Sequence, residues 1–180
     1  MARSGIEIIA ARALKAFLVS RAALLVSGMT SNNQPVRLPA ITTSPATPPV
    51  DSGPFVSIMV TGRDISFTNA SPLEIEQSTL RVIISLESII EAEADDDQPY
   101  ERSSETHADI GDRIIRELIL TSQENRVIED GSTGFTFKIV PGDGMQKRNS
   151  GASWKNPGYY AVAISEIIFS LRSACEQATY

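Results

Sequence analysis

A single cysteine, Cys175, and a single histidine, His107, are all that this 180-residue chain holds of the side chains most used in nucleophilic and metal chemistry. One cysteine excludes an internal disulfide and fits folding in a reducing compartment. Cations are also scarce: 16 Lys and Arg stand against 22 Asp and Glu, for a net charge of −6. Phosphate contacts need clustered cations, so this balance argues against general nucleic-acid affinity. Long apolar runs are missing too. Arg12, Lys15 and Arg21 interrupt the most apolar N-terminal stretch, leaving no uncharged run near the ~18 residues of a membrane span. The same charges break the apolar core that a secretory signal requires, and Glu7 departs from the acid-poor composition of a transit peptide. The chain has neither a G-x-x-x-x-G-K-[ST] phosphate loop nor a G-x-S-x-G nucleophile elbow.

What is present suits a soluble globular protein: 42% hydrophobic and 21% charged residues. At this length the expectation is one domain over 1–180, divided into an N-terminal helix at 1–29, an extended arm at 30–54 and a body at 55–180. Ser4 and Glu7 have the spacing of a capping box. Ile6, Ile9, Ala13, Leu14, Phe17 and Leu18 then recur at helical spacing, and Gly28 suits the left-handed position that ends a helix. The arm holds Pro35, Pro39, Pro45, Pro48 and Pro49 among many Ser and Thr, which predicts an extended connection. Segments of this kind are floppy linkers or lie on a neighbouring subunit.

Four strands are predicted. The first runs from Phe55 to Thr61 and ends at Gly62. In the second, Thr79–Ser88, Leu80, Val82, Ile84 and Leu86 point one way while Thr79, Arg81, Ser85 and Glu87 point the other. Phe135, Phe137 and Ile139 mark the third. The fourth spans Tyr159 to Leu171, and its alternation changes phase near Glu166, which predicts a β-bulge. A second helix is expected over Ala108–Leu120, capped by Thr106 and Asp109, with Ile110, Ile114 and Leu118 on one stripe. The predicted architecture is α+β: an antiparallel sheet of about four strands on two helices, with a long Pro-rich arm and a long hairpin loop at 141–158.

Charge is distributed unevenly. Glu91, Glu93, Asp95, Asp96, Asp97, Glu101 and Glu105 face one base, Arg102, so the predicted loop at 91–105 carries a net charge equal to that of the whole chain. Three consecutive aspartates without alternating ligand positions or a supporting glycine do not make a calcium loop. His107 reads as a first-turn helix residue rather than a catalytic base. Pro141-Gly142-Asp143-Gly144 reads as a turn. Lys147, Arg148, Trp154 and Lys155 place cations beside an aromatic on the hairpin loop, a pattern shared by single-strand nucleic-acid surfaces and protein-interface hot spots; the overall acidity favours a protein interface. Neither a catalytic site nor a cofactor or metal site is expected.

The segment order resembles the tail terminator proteins of long-tailed bacteriophages, lambda type. The likeness is carried by the N-terminal helix, Pro54-Phe55-Val56-Ser57-Ile58-Met59-Val60-Thr61-Gly62, the strand Gln77–Leu86, the helix beginning Asp109-Ile110-Gly111-Asp112-Arg113-Ile114-Ile115, and the closing strand Tyr160–Glu166. It covers most of the chain as order and pattern. The arm, the acidic segment and the hairpin loop exceed the family pattern, which admits another neck, connector or tail-tube ring protein of the virion. The resemblance implies a virion protein assembled in the host cytoplasm: a homo-hexameric ring that caps the tail tube and docks to a head-connector or neck protein. DNA passes through such a ring without specific binding. On this reading the acidic segment faces the channel or its mouth, Lys147, Arg148, Trp154 and Lys155 contact the tube or a neighbour, and the arm lies between subunits. The residues alone also admit a small cytoplasmic ligand-binding module or enzyme that uses the sheet as a platform.

Overall fold

The computed structural model describes residues 5–31, 34–43, 54–70, 73–91, 99–140, 144–154 and 160–173. Of the predicted stripe, helix α1 (Ile6–Leu25) buries Ile9, Ala13, Leu14 and Leu18 and half-buries Ile6 and Phe17; it also buries Ala10, Ala11, Ala22 and Leu25. Its N-cap is Gly5, with no side-chain cap bond; Ser4 lies outside the described residues. Gly28 does adopt a left-handed conformation, with φ 74°. At and just past the helix end, Arg113 Nη1 also donates to Leu24 O at 3.1 Å and to Ser27 O at 2.7 Å.

The arm begins with a small antiparallel hairpin of β1 (Thr30–Ser31) and β2 (Gln34–Pro35). Strand β3 (Ala40–Thr42) then runs parallel to the start of β4 (Phe55–Ala70), with Ala40 opposite Phe55. Strand β4 pairs antiparallel with β5 (Leu73–Glu91), and β5 with β9 (Tyr160–Ser173). Helix α2 (Pro99–Gln123) follows β5. Beyond it, β6 (Ile128–Glu129) pairs with β7 (Thr136–Val140), which pairs with the end of β9. Strand β8 (Gln146–Trp154) continues along the same edge of β9. Among the described residues the sheet has seven strands in the order β3-β4-β5-β9-β7-β6, with β8 beside β9.

The architecture is therefore α+β with two helices, as expected, but the sheet is larger than four strands and mixed, because β3 joins it in parallel. Several element bounds differ from the sequence reading. Strand β4 does not stop at Gly62: a bulge there leaves Val60 opposite Val82 and Gly62 opposite Arg81, and pairing continues to Ala70. The anticipated long hairpin loop is largely β8. The bulge expected in β9 lies in its partner instead, between Asn149 and Ala152, while β9 pairs with β5 without a shift. Residues 99–105 are not loop but the first turns of α2. Pro99 occupies the helix start, where its missing N–H costs nothing.

One face of the sheet carries the core. Val56 and Ile58 of β4, Leu80, Val82, Ile84 and Leu86 of β5, and Ile167, Phe169 and Leu171 of β9 meet the apolar stripes of both helices, including Ile110, Ile114 and Leu118. Each such side chain contributes roughly 1.5–3 kcal/mol by leaving water. The other face is open among the described residues. Across it Met59, Ile83 and Ile168 stand in one cross-strand row, and Ser57, Ser85, Glu166 and Arg148 in the next. No described helix is long and apolar enough to cross a membrane.

Candidate functional site

Two regions carry the unusual chemistry and geometry of this chain. The first is a buried polar cluster where α2 crosses β5, β8 and β9. His107 is 5% exposed, an interior residue of α2 rather than a first-turn one. Its Nδ1 lies 2.8 Å from Ser88 Oγ on β5 and its Nε2 lies 2.8 Å from Ser165 Oγ on β9. Ser165 donates onward to Asn149 Oδ1 on β8 at 3.0 Å. That spends the Ser165 proton, so Nε2 carries the hydrogen and donates to Ser165, while Nδ1 accepts from Ser88. One imidazole thereby ties a helix to three strands.

Burial, followed by the nearby Lys147 ammonium, pushes the His107 pKa down from 6.5 to about 4. At neutral pH the ring is uncharged and a weak base. Lys147 projects from β8 onto the helix side, where its Nζ donates to Asp112 Oδ1 at 2.6 Å and to Ala108 O at 3.2 Å. Gly111 makes room for it: a Cβ there would stand 3.2 Å from Lys147 Cε. This site was missed in the sequence because its members, Ser88, His107, Asn149 and Ser165, are scattered along the chain. Its one trace was the phase break in β9, caused by a polar Ser165 facing inward.

The second region is the far end of the β4–β5 hairpin. Strand β9 reaches along β5 only to Thr79. Six further cross-strand pairs, from Ile65–Ser78 to Ala70–Leu73, have no third strand beside them among the described residues. At about 3.3 Å per residue they extend the hairpin some 20 Å past the body. On the outer edge, β4 pairs with β3 only through Phe55–Ser57. Arg63 Nε donates to Ser78 Oγ at 3.0 Å, and the Ser78 amide donates to Ser173 Oγ at 3.1 Å, so the hairpin's base is anchored.

The residues singled out in the sequence are dispersed. Of the acidic set, Glu91 ends β5 and Glu101 and Glu105 belong to α2; Glu93, Asp95, Asp96 and Asp97 lie outside the described residues. Lys147 is engaged by Asp112 of the same chain, Arg148 is exposed opposite Glu166, and Trp154 ends β8 in register with Ala161. Lys155 lies outside the described residues. Pro35 ends β2, Pro39 is buried, and Pro45, Pro48 and Pro49 lie outside the described residues.

Among the described residues, no group of three His, Cys, Asp or Glu side chains comes together as a metal site. Compared with known proteins, the chain matches no family model and no curated sequence.

Proposed function

We propose that this chain is a structural subunit of a phage particle, forming a homo-hexameric ring that terminates the tail tube and joins tail to head. The observation that carries this reading is the β4–β5 hairpin, which runs past the rest of the sheet with its outer edge largely unpaired among the described residues. A long unpaired strand edge is a template for pairing with another chain. When each copy offers its hairpin to a different surface of the next, the contact is heterologous and closes by rotation into a ring. The open sheet face, with Met59, Ile83 and Ile168 in a row, supplies apolar area for the same purpose.

In this assembly the acid-rich stretch from Glu91 to Glu105 faces the channel or its mouth, where it repels the phosphates of passing DNA. Arg148 and Trp154 on β8, with Lys155, contact the tube or a neighbour, and the arm around Pro45, Pro48 and Pro49 lies between subunits. Native mass spectrometry and electron microscopy of the purified chain test the reading. A closed six-membered ring that caps tail tubes is expected. A chain that stays monomeric both alone and with added tubes overturns it, and a ring that joins only head-connector proteins moves the role to the neck.

A further inference from the structure

A second feature stands apart from the hairpin, where the end of α2 meets the β7–β9 pair. A cleft of about 240 Å³ opens there, and three cations line it: Arg126, Lys138 and Arg172. Ser122 and Asn125 add polar groups, and Ile139 supplies apolar wall. Among the described residues no acidic side chain lines it, in a chain whose net charge is −6.

The local sequence builds this arrangement. Helix α2 ends in a Schellman motif: the Arg126 amide donates to Thr121 O at 3.0 Å and the Asn125 amide to Ser122 O at 3.0 Å. Asn125 takes the left-handed position, with φ 53°, a conformation asparagine tolerates better than most residues. Its Oδ1 accepts from Lys138 Nζ at 3.1 Å, which holds that ammonium at the cleft. Lys138 and Arg172 are direct cross-strand partners. Like charges in that position repel, and the nearest balance among the described contacts is only an amide oxygen. Arg126 pairs with Glu124 at 2.8 Å, but both side chains are about half exposed or more, so the pair is worth little and yields to a stronger anion.

We propose that this cleft binds a phosphate group. A phosphate offers several acceptor oxygens and up to two negative charges, which match two guanidinium forks and an ammonium better than a single carboxylate does. The volume falls below the roughly 300–1,000 Å³ of pockets that enclose a whole small molecule. The cleft therefore takes the phosphate while the rest of the ligand stays outside. The phosphate belongs either to a small molecule or to a polynucleotide backbone. The site holds whether or not the chain forms a ring.

The test titrates the ¹⁵N-labelled full chain with inorganic phosphate, a nucleoside monophosphate and a short single-stranded oligonucleotide at constant ionic strength. Saturable amide shifts confined to residues 122–126, 138–140 and 172 are expected, with about tenfold weaker binding in the Lys138→Gln/Arg172→Gln double variant. Tightest binding by the monophosphate assigns a small-molecule phosphate. Tighter binding by the oligonucleotide, with a salt dependence that falls in the variant, assigns a backbone phosphate. Shifts that are scattered, unsaturable or unchanged in the double variant overturn the proposal. Should that variant fail to fold, Arg172→Gln alone carries the test, with about threefold weakening expected and no weakening overturning it.

Discussion

Lys147 of β8 lies directly over Gly111 of α2, so close that a Cβ at position 111 would stand 3.2 Å from Lys147 Cε and 3.3 Å from its Nζ. The ammonium is pinned beyond that point by Asp112 and Ala108 O, and Leu86 Cδ2 waits 3.8 Å from the same Cβ position. Gly111→Ala gains roughly 0.5–1 kcal/mol of helix propensity, which offsets the displacement of one flexible side chain. Its denaturation midpoint should stay near that of the parent. Gly111→Val adds branching at the same place and cannot be accommodated by Lys147 alone; urea denaturation should show a loss of about 1–3 kcal/mol.

The His107 cluster gives stability a definite pH dependence. The folded state holds the ring neutral with its pKa near 4, whereas the unfolded chain titrates near 6.5. Between those values the unfolded state binds more protons, so stability falls as pH drops from 6.5 toward 4. The contribution is at most about 3 kcal/mol by the size of the shift. His107→Gln removes the titration and keeps a hydrogen-bonding side chain. Urea denaturation at pH 7, 5 and 4 should show the parent losing about 1–3 kcal/mol more than this variant over the window. Equal slopes would mean that the ring is solvated and titrates normally.

Two ion pairs of this chain have similar lengths and should differ widely in energy. Arg12 Nη2 meets Asp130 Oδ2 at 2.8 Å, with the Asp130 side chain 5% exposed and also accepting from Thr133 Oγ1 at 2.6 Å. Among the described residues Arg12 Nε is buried without a partner, so its guanidinium depends on that one carboxylate. Asp130→Ala should cost about 3 kcal/mol, because it strands a part-buried cation and frees the β6–β7 turn. Glu124→Ala, which breaks the exposed pair with Arg126, should cost less than about 0.5 kcal/mol. Thermal denaturation of the two variants side by side checks the contrast.

How much of this was legible in the sequence depended on whether one face of an element was uniformly apolar. Leu80, Val82, Ile84 and Leu86 gave β5 an unbroken period of two, and Ile110, Ile114 and Leu118 gave α2 its stripe, so both were readable. Strand β9 was misphased because Ser165 points into the core to meet His107, while Ile164 and Ile168 occupy the opposite face. Strand β8 was read as loop because it is an edge strand: polar Gln146–Ser150 and Gly151 obscure any alternation. The acid-rich start of α2 resembled a loop by composition, although Pro99 at the first helical position and Glu101 in the first turn are helix-start signals. The parallel β3–β4 pairing involves three residues and leaves no local signature.

The assembly reading places its demand on the hairpin beyond the body, and that segment can be removed without touching the core. Ile65 and Ser78 are the last pair worth keeping, since Ser78 bonds both Arg63 and Ser173 at the hairpin's base. Replacing residues 66–77 with Asn-Gly closes β4 onto β5 through a two-residue turn of the type that matches strand twist. Among the described residues, the shortened chain retains every member of the core cluster, so its melting temperature should change by only a few degrees. Size-exclusion chromatography with light scattering should find the parent as a ring and the shortened chain as a monomer. If the shortened chain still assembles, the projecting edge is not the joining element. The open sheet face around Met59, Ile83 and Ile168 would then have to carry the contact alone, which Ile83→Lys in the shortened background would decide.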